Sequence, residues 1–474
     1  MATSQFTDRR IGTWFTDSRT LGCILAAAFA VRMAILLAYS PWTASVESGT
    51  LLRNDALGYH ELALCILNDH SFCGNTIRTP GYPAFVALIY ASFGVRPWIV
   101  LLAHAALDLL TIALAFRLGQ LLFSSRVGLI AAGLLAFDPT SVLNSSNLLS
   151  DNLFTLVFLA AVYAFVRGLK APHWVHWAVA TGGLIGLATL VRPSAQYSPF
   201  VFMAFALART AWPWRHRLVF CILTLAAFGC TLSPWLWRNY QQFDAARLST
   251  VQGYNLLMWQ VAFSLSWNSR TPVDEIREKL ALEADLAGFR HEGNPFANDQ
   301  IMQRVALGHV REHPFDFAAS VLRGVGFMYV NVGTSHTSEK FGWANRGTEK
   351  FNARSATSFR DMLSSGVQAK SARVLALGAV LGVVQAAHYV MFGLGLWILL
   401  RRRRQTYMAA LFVAFVLYFS AVSGVQAEAR YRMPVIPLYL LIGAVALDEW
   451  LRRKDRRHAG KDGAVPGARV GRIK

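Results

Sequence analysis

Five short stretches of the chain carry side chains suited to chemistry on an anionic, lipid-borne substrate. The first opens with Arg53-Asn54-Asp55-Ala56-Leu57-Gly58-Tyr59 and closes with Arg78-Thr79-Pro80-Gly81-Tyr82-Pro83. A carboxylate such as Asp55 can take a proton or balance a developing positive charge, while arginine makes bidentate contacts to phosphate. The pattern recurs further on. Asp151 follows Ser150, Arg192 precedes Pro193, and Arg238 follows Trp235 and Trp237. Near the end comes Glu428-Ala429-Arg430-Tyr431-Arg432. Asp55 and Asp151 are therefore the candidate catalytic acids, and Arg78, Tyr82, Arg192, Arg238, Arg430, Tyr431 and Arg432 the candidate substrate- and phosphate-binding residues.

What must position these groups is a membrane bundle. The 474 residues are 54% hydrophobic and 15% charged, and the mean hydropathy of +0.36 is too high for an ordinary globular chain. The net charge of +19 does not point to nucleic acid, because the basic residues sit in short runs beside apolar segments. Apolar segments near 20–39, 97–116, 127–142, 152–166, 174–191, 196–208, 218–236, 372–400, 407–424 and 433–450 predict about ten spans. Basic connections at 117–126, 167–170, 209–217 and 401–404 alternate with acidic or aromatic ones, which places both termini in the cytoplasm. The outer segments are then 40–96, 138–151 and 238–371, and every candidate site residue falls at or beside that face. Tyr82 to Phe93 and Phe315 to Val332 read as interfacial helices. The expected organisation is a cytoplasmic segment 1–19, a transmembrane catalytic domain 20–450, and a basic, disordered cytoplasmic tail 451–474.

Each candidate also has a plainer structural reading. Asp55 and Asp151 can cap the helices that follow them. Trp235, Trp237 and Tyr240 can form an aromatic belt, Arg78, Arg192 and Arg238 can reach lipid headgroups, and Arg430 and Arg432 can pair with Glu428. Several such charges on one side of a membrane are costly unless used, which favours function. Cys65 and Cys73 share the first outer loop, where an oxidising compartment would let them pair; spacing alone leaves this open. His104 and His388 read as packed core histidines. His60 and Glu61 diverge on a helix, so no metal site is committed, although a divalent metal stays open.

Taken in order, Asp in the first outer loop, Arg-x-Pro-x-Tyr-Pro, an acid before the fourth span, Arg-Pro after the fifth, Pro-Trp-x-x-Arg-Asn-Tyr, and Glu-x-Arg-Tyr-Arg-x-Pro, these motifs resemble the GT-C membrane glycosyltransferases. Among them they are most similar to glycosyltransferase family 39, which holds the bacterial aminoarabinose transferases and the protein O-mannosyltransferases. The resemblance implies an all-α polytopic membrane protein in the bacterial inner membrane. Such an enzyme transfers a sugar, with inversion, from a polyprenyl-phosphate donor to a lipid, glycan or protein acceptor outside. Its catalytic carboxylate would be Asp55, with Asp151 as the second acid. The chain departs from the family where many members carry Asp-Glu, since Asn54-Asp55-Ala56 has a single acid. A transporter or flippase for a lipid-linked sugar is the alternative; it would place charges near the middle of spans, and there only Asp108 and a few others come close, with no obvious partner in the sequence. A non-catalytic membrane scaffold, in which Asp55 would be replaceable, is the third reading.

Overall fold

The computed structural model describes residues 4–43, 51–52, 55–334, 371–403, 405–426 and 428–462. Residues 335–370 of the last outer segment, Arg53 and Asn54 of the first motif, Arg404 of the arginine run and the tail beyond 462 lie outside the described residues.

The described residues are predominantly helical. In order come α1 (Ser4–Tyr39), α2 (Asp55–Asp69), α3 (Gly81–Phe93), α4 (Pro97–Leu122), α5 (Ser125–Ala136), α6 (Pro139–Asn144), α7 (Asp151–Lys170), α8 (Val175–Val191), α9 (Ser198–Ala208) and α10 (Trp214–Phe243). A compact group of shorter helices follows, from Val251 through α14 (Pro295–Glu312) and α15 (Pro314–Val330), before α16 (Ala372–Arg401), α17 (Thr406–Ser423) and α18 (Ile436–Asp462). Within that group α11 is Val251–Tyr254, α12 is Ala262–Ser269 and α13 is Val273–Leu286.

Among the described residues, 7 helices are long and apolar enough to cross a membrane, fewer than the ten expected. The difference lies in three segments. The stretch 127–142 breaks after 12 residues, because Asp138 accepts a hydrogen bond from the Ser141 backbone and Pro139 starts a new short helix. The stretches 174–191 and 196–208 form helices of 17 and 11 residues, separated by Arg192-Pro193 and both shorter than the ~20 residues of a typical straight span. At the carboxyl end α18 runs on to Asp462, so the first part of the expected disordered tail is helical.

Close packing aligns these pieces. α8 lies against α10 with glycine at the contact: a β-carbon on Gly182 would sit 2.1 Å from the Thr224 carbonyl oxygen. Phe158 packs against Phe202 in a tilted arrangement and edge-on against Phe415 and Phe419, at ring separations of 6.4, 5.1 and 4.9 Å, locking α7, α9 and α17 into one core. Outside this bundle, Leu257, Phe263, Trp267, Ile276, Leu280 and Ala306 form a separate small core, which also takes in Val425 after α17.

Two polar networks cross the buried interior. Arg32 of α1, fully buried, donates from Nε to Asp108 Oδ2 of α4 at 2.7 Å, and Asn152 donates to the other Asp108 oxygen at 2.8 Å. Arg32 also reaches the Ala28 and Ala136 carbonyls and Ser141 Oγ. Asp108, for which the sequence shows no partner, is thus paired across 76 residues of chain. His388 Nδ1 lies 3.4 Å from Asp138, and His104 Nε2 meets the Tyr82 hydroxyl at 3.1 Å, so both histidines belong to the interior as expected.

The bundle ends differ in character. At one end Lys170 donates to Leu121 O, Gln405 to Leu122 O, and Arg402 pairs with Glu449, gathering the basic connections together. The opposite ends of α7, α8 and α18 converge on Asp55.

Candidate active site

Asp55 is the first residue of α2, where the unpaired backbone N–H groups of a helix start favour a carboxylate. Its oxygens are divided between two arginines. Arg78 Nη2 donates to Oδ1 at 3.1 Å, and Arg430 Nη2 donates to Oδ2 at 2.9 Å. The Arg78 guanidinium also lies 4.1 Å above the ring of Tyr59, one turn along α2 from Asp55. Gly58 makes room for it, since a β-carbon there would approach Arg78 Nε to 3.1 Å.

Arg430 sits in the 3₁₀ turn Ala429–Val435 that leads into α18. Each of its three nitrogens faces a different carboxylate. Nε donates to Glu428 at 2.8 Å, Nη2 to Asp55 at 2.9 Å, and Nη1 stands 4.0 Å from Asp151 Oδ2. Asp151, the first residue of α7, is paired through its other oxygen with Arg192, the residue that ends α8. The Arg192 guanidinium lies between the rings of Phe154 and Tyr431, at 5.8 and 5.4 Å. Gly81 brings α3 close enough to complete this corner: a β-carbon there would meet Leu190 O at 2.7 Å. Next to it Tyr82 is buried, packing edge-on against Tyr59 at 4.6 Å.

The two acids differ in access. The Asp55 side chain is 44% exposed and that of Asp151 only 1%. Asp55 is therefore the carboxylate open to an incoming molecule, and Asp151 is the one that fixes arginines. Burial alone would raise the Asp55 carboxyl, yet the guanidiniums of Arg430 and Arg78 outweigh it and bring its pKa down to about 2. Asp55 is held ionised and, with both arginines in place, is a weak base.

Of the nine candidates, the structure brings together Asp55, Asp151, Arg78, Arg192, Arg430, Tyr431 and Tyr82. Arg238 goes elsewhere: its guanidinium packs over Trp235, Phe243 and Phe72, at 4.8, 5.2 and 5.7 Å, and bonds Asn239. Arg432 is not a ligand-facing group either. It is fully buried and donates to the carbonyls of Met328 and Asn331 and to Thr140 and Gln385, because the 3₁₀ turn points side chains two residues apart in different directions. Three neighbours escaped the sequence reading as site residues: Glu428, Ser150, whose Oγ is 3.3 Å from the Tyr59 hydroxyl, and Tyr59 itself. For Tyr59 the available signal was its i+4 spacing from Asp55, which puts both on one helix face.

A metal fits this arrangement poorly. Both Asp55 oxygens, Asp151 Oδ1 and Glu428 Oε2 already face guanidinium nitrogens, so a divalent cation would have to displace Arg430 to gather its ligands. Among the described residues the group of metal-type ligands within reach of one another is Cys65, Asp69 and Cys73. Its two sulfurs are joined to each other: Cys65 and Cys73 form a disulfide.

The architecture has known counterparts. The chain superimposes on an archaeal oligosaccharyltransferase, AglB from Archaeoglobus fulgidus in complex with an inhibitory peptide and a dolichol-phosphate, over 97% of its own length and 53% of that chain, with a TM-score of 0.54 at 17% identity. The chain has the GT-C fold. The same oligosaccharyltransferase tethered to an acceptor peptide matches this GT-C chain with a TM-score of 0.54 at 16% identity, covering 94% of it and 51% of the other. The GT-C chain thus spans about half the length of the oligosaccharyltransferase. Residues 77–237 match the sequence family described as dolichyl-phosphate-mannose-protein mannosyltransferase, a stretch that includes Arg78, Tyr82, Asp151 and Arg192. No curated protein matches the chain in sequence.

Proposed function

We propose that this protein transfers a monosaccharide from a polyprenyl-phosphate-linked donor to a glycolipid, glycan or protein acceptor at the extracytoplasmic face of a bacterial inner membrane, with inversion at the anomeric carbon. The observation that carries this reading is the accessible Asp55 carboxylate held among Arg78, Arg430 and, through Asp151, Arg192. The dolichol-phosphate in the similar oligosaccharyltransferase and the lipid-phosphate sugar named for the matching family support a donor of the same chemical type.

The geometry suits the reaction. Breaking the bond between sugar and phosphate leaves negative charge on the departing phosphate, and arginines aimed at that position stabilise it without a general acid. A hydroxyl acceptor must lose its proton as it attacks, and Asp55 is placed to take it; with a phosphate acceptor Asp55 would instead balance charge at the sugar. When the donor phosphate engages Arg430 or Arg78, Asp55 loses a partner and gains basicity. The transporter reading lacks comparable support, because the Arg32–Asp108 pair within the spans is closed off, at 0% and 4% side-chain exposure.

The test is Asp55→Asn. It is expected to insert and fold normally while transfer from a polyprenyl-phosphate sugar falls by about 10²–10⁴-fold, the range for loss of a positioned base. Full transfer activity in that variant would refute the assignment.

A further inference from the structure

At the end of the bundle away from Asp55 lies a cavity of about 410 Å³, bounded by the end of α4, the start of α5, the end of α16 and α18 between Val445 and Arg456. Its inner wall is apolar, with Leu122, Ile398, Leu399 and Val445, while Arg402, Arg452 and Arg456 stand at its mouth. Asp448 and Glu449 also line it, but each is shared between two arginines. Arg452 and Arg126 hold Asp448 at 2.9 and 3.2 Å, and Arg402 and Arg453 hold Glu449 at 2.8 and 3.2 Å. Arg126 also pairs with Asp455 at 3.2 Å, so the five arginines Arg126, Arg402, Arg452, Arg453 and Arg456 face three acids and the mouth keeps a net positive charge.

Two exposed tryptophans mark the level of this mouth relative to a bilayer. Trp397 and Trp450 are 53% and 57% exposed, with Arg401 and Lys454 set over their rings at 5.2 and 5.6 Å. Indole rings with cationic caps belong at the headgroup region, between hydrocarbon and water.

We propose that this cavity binds one anionic phospholipid from the leaflet opposite the candidate active site, with its phosphate among Arg402, Arg452 and Arg456 and an acyl chain along Leu399 and Val445. A phospholipid supplies both halves of the match: a soluble phosphate would leave the apolar wall uncovered, and a zwitterionic headgroup would leave the excess positive charge unanswered.

The test places the purified protein in nanodiscs containing equal amounts of phosphatidylglycerol and phosphatidylcholine, then counts retained lipids by native mass spectrometry. The wild type should retain phosphatidylglycerol over phosphatidylcholine by at least about fivefold, the factor for one charge near a membrane surface. Arg456→Gln, at the helix surface, should lower phosphatidylglycerol retention about fivefold, and adding Arg402→Gln should lower it on the order of twentyfold. Equal retention of the two lipids by the wild type, unchanged selectivity in Arg456→Gln, or release of the lipid by inorganic phosphate alone would overturn the proposal.

Discussion

Asp55 is strongly ionised because two arginines share it, and this has a direct kinetic consequence. A group whose folded pKa is lowered contributes stability above its unfolded value, near 3.8, and that contribution fades as pH falls towards about 2. The pH profile of kcat/KM, which reports the free enzyme, should therefore show no acid limb from Asp55 above about pH 4; an ionisation between 5 and 6 that disappears in Asp55→Asn would contradict the arginine clamp. Arg430 bears on a second measurement. Since its three nitrogens face the carboxylates that would otherwise bind a cation, transfer should survive excess EDTA without loss, and restoration by added Mn²⁺ or Mg²⁺ after chelation would show otherwise. At this scale the sequence was readable by residue type but not by direction. Arg430 and Arg432 are equivalent in the motif, yet one turns into the site and the other into the interior, a choice made by the 3₁₀ turn and by acceptors at Thr140 and Gln385.

Elements are held in register by charges buried in their midst. Arg32 bonds α1 to Asp108 on α4, to the end of α5 and to Ser141 of α6, while Asn152, the residue after Asp151 on α7, donates to the other Asp108 oxygen. Removing one member leaves an uncompensated buried charge, typically a loss of about 3–5 kcal/mol, whereas replacing both with apolar groups of similar volume is often neutral. Thermal unfolding in detergent should thus place Arg32→Met well below wild type and the double variant Arg32→Met, Asp108→Leu close to it. A single variant as stable as the wild type would mean the pair carries no structural load. The basic connections marked where helices end only approximately: α4 runs through Arg117 to Leu122 and α7 includes Arg167 and Lys170. Which helices meet is not local: the partners Arg32 and Asp108 are 76 residues apart, and no periodicity of one segment points to the other. The seven long apolar helices differ from the ten expected spans because Pro139 and Pro193 divide apolar runs into shorter helices.

Across the whole molecule, polarity is sorted by end. The basic connections and α18's acidic residues close one end, and the paired acids and arginines occupy the other. The all-α membrane architecture was legible from composition and hydropathy alone, because lipid leaves a chain few alternatives to helix. The GT-C arrangement was legible from the order of the motifs, since that order reflects the sequence in which helix ends reach the site.

The Cys65–Cys73 bond at the far end of α2 turns this polarity into something that can be read chemically. Asp55 and the disulfide belong to one fifteen-residue helix, Asp55–Asp69, and the turn after it, so the accessibility of the bond to a reagent reports on the side of the membrane this helix occupies. In intact spheroplasts, a membrane-impermeant reductant followed by an impermeant maleimide should add mass at both cysteines. Protection of the pair until the membrane is broken would reverse the orientation of the site.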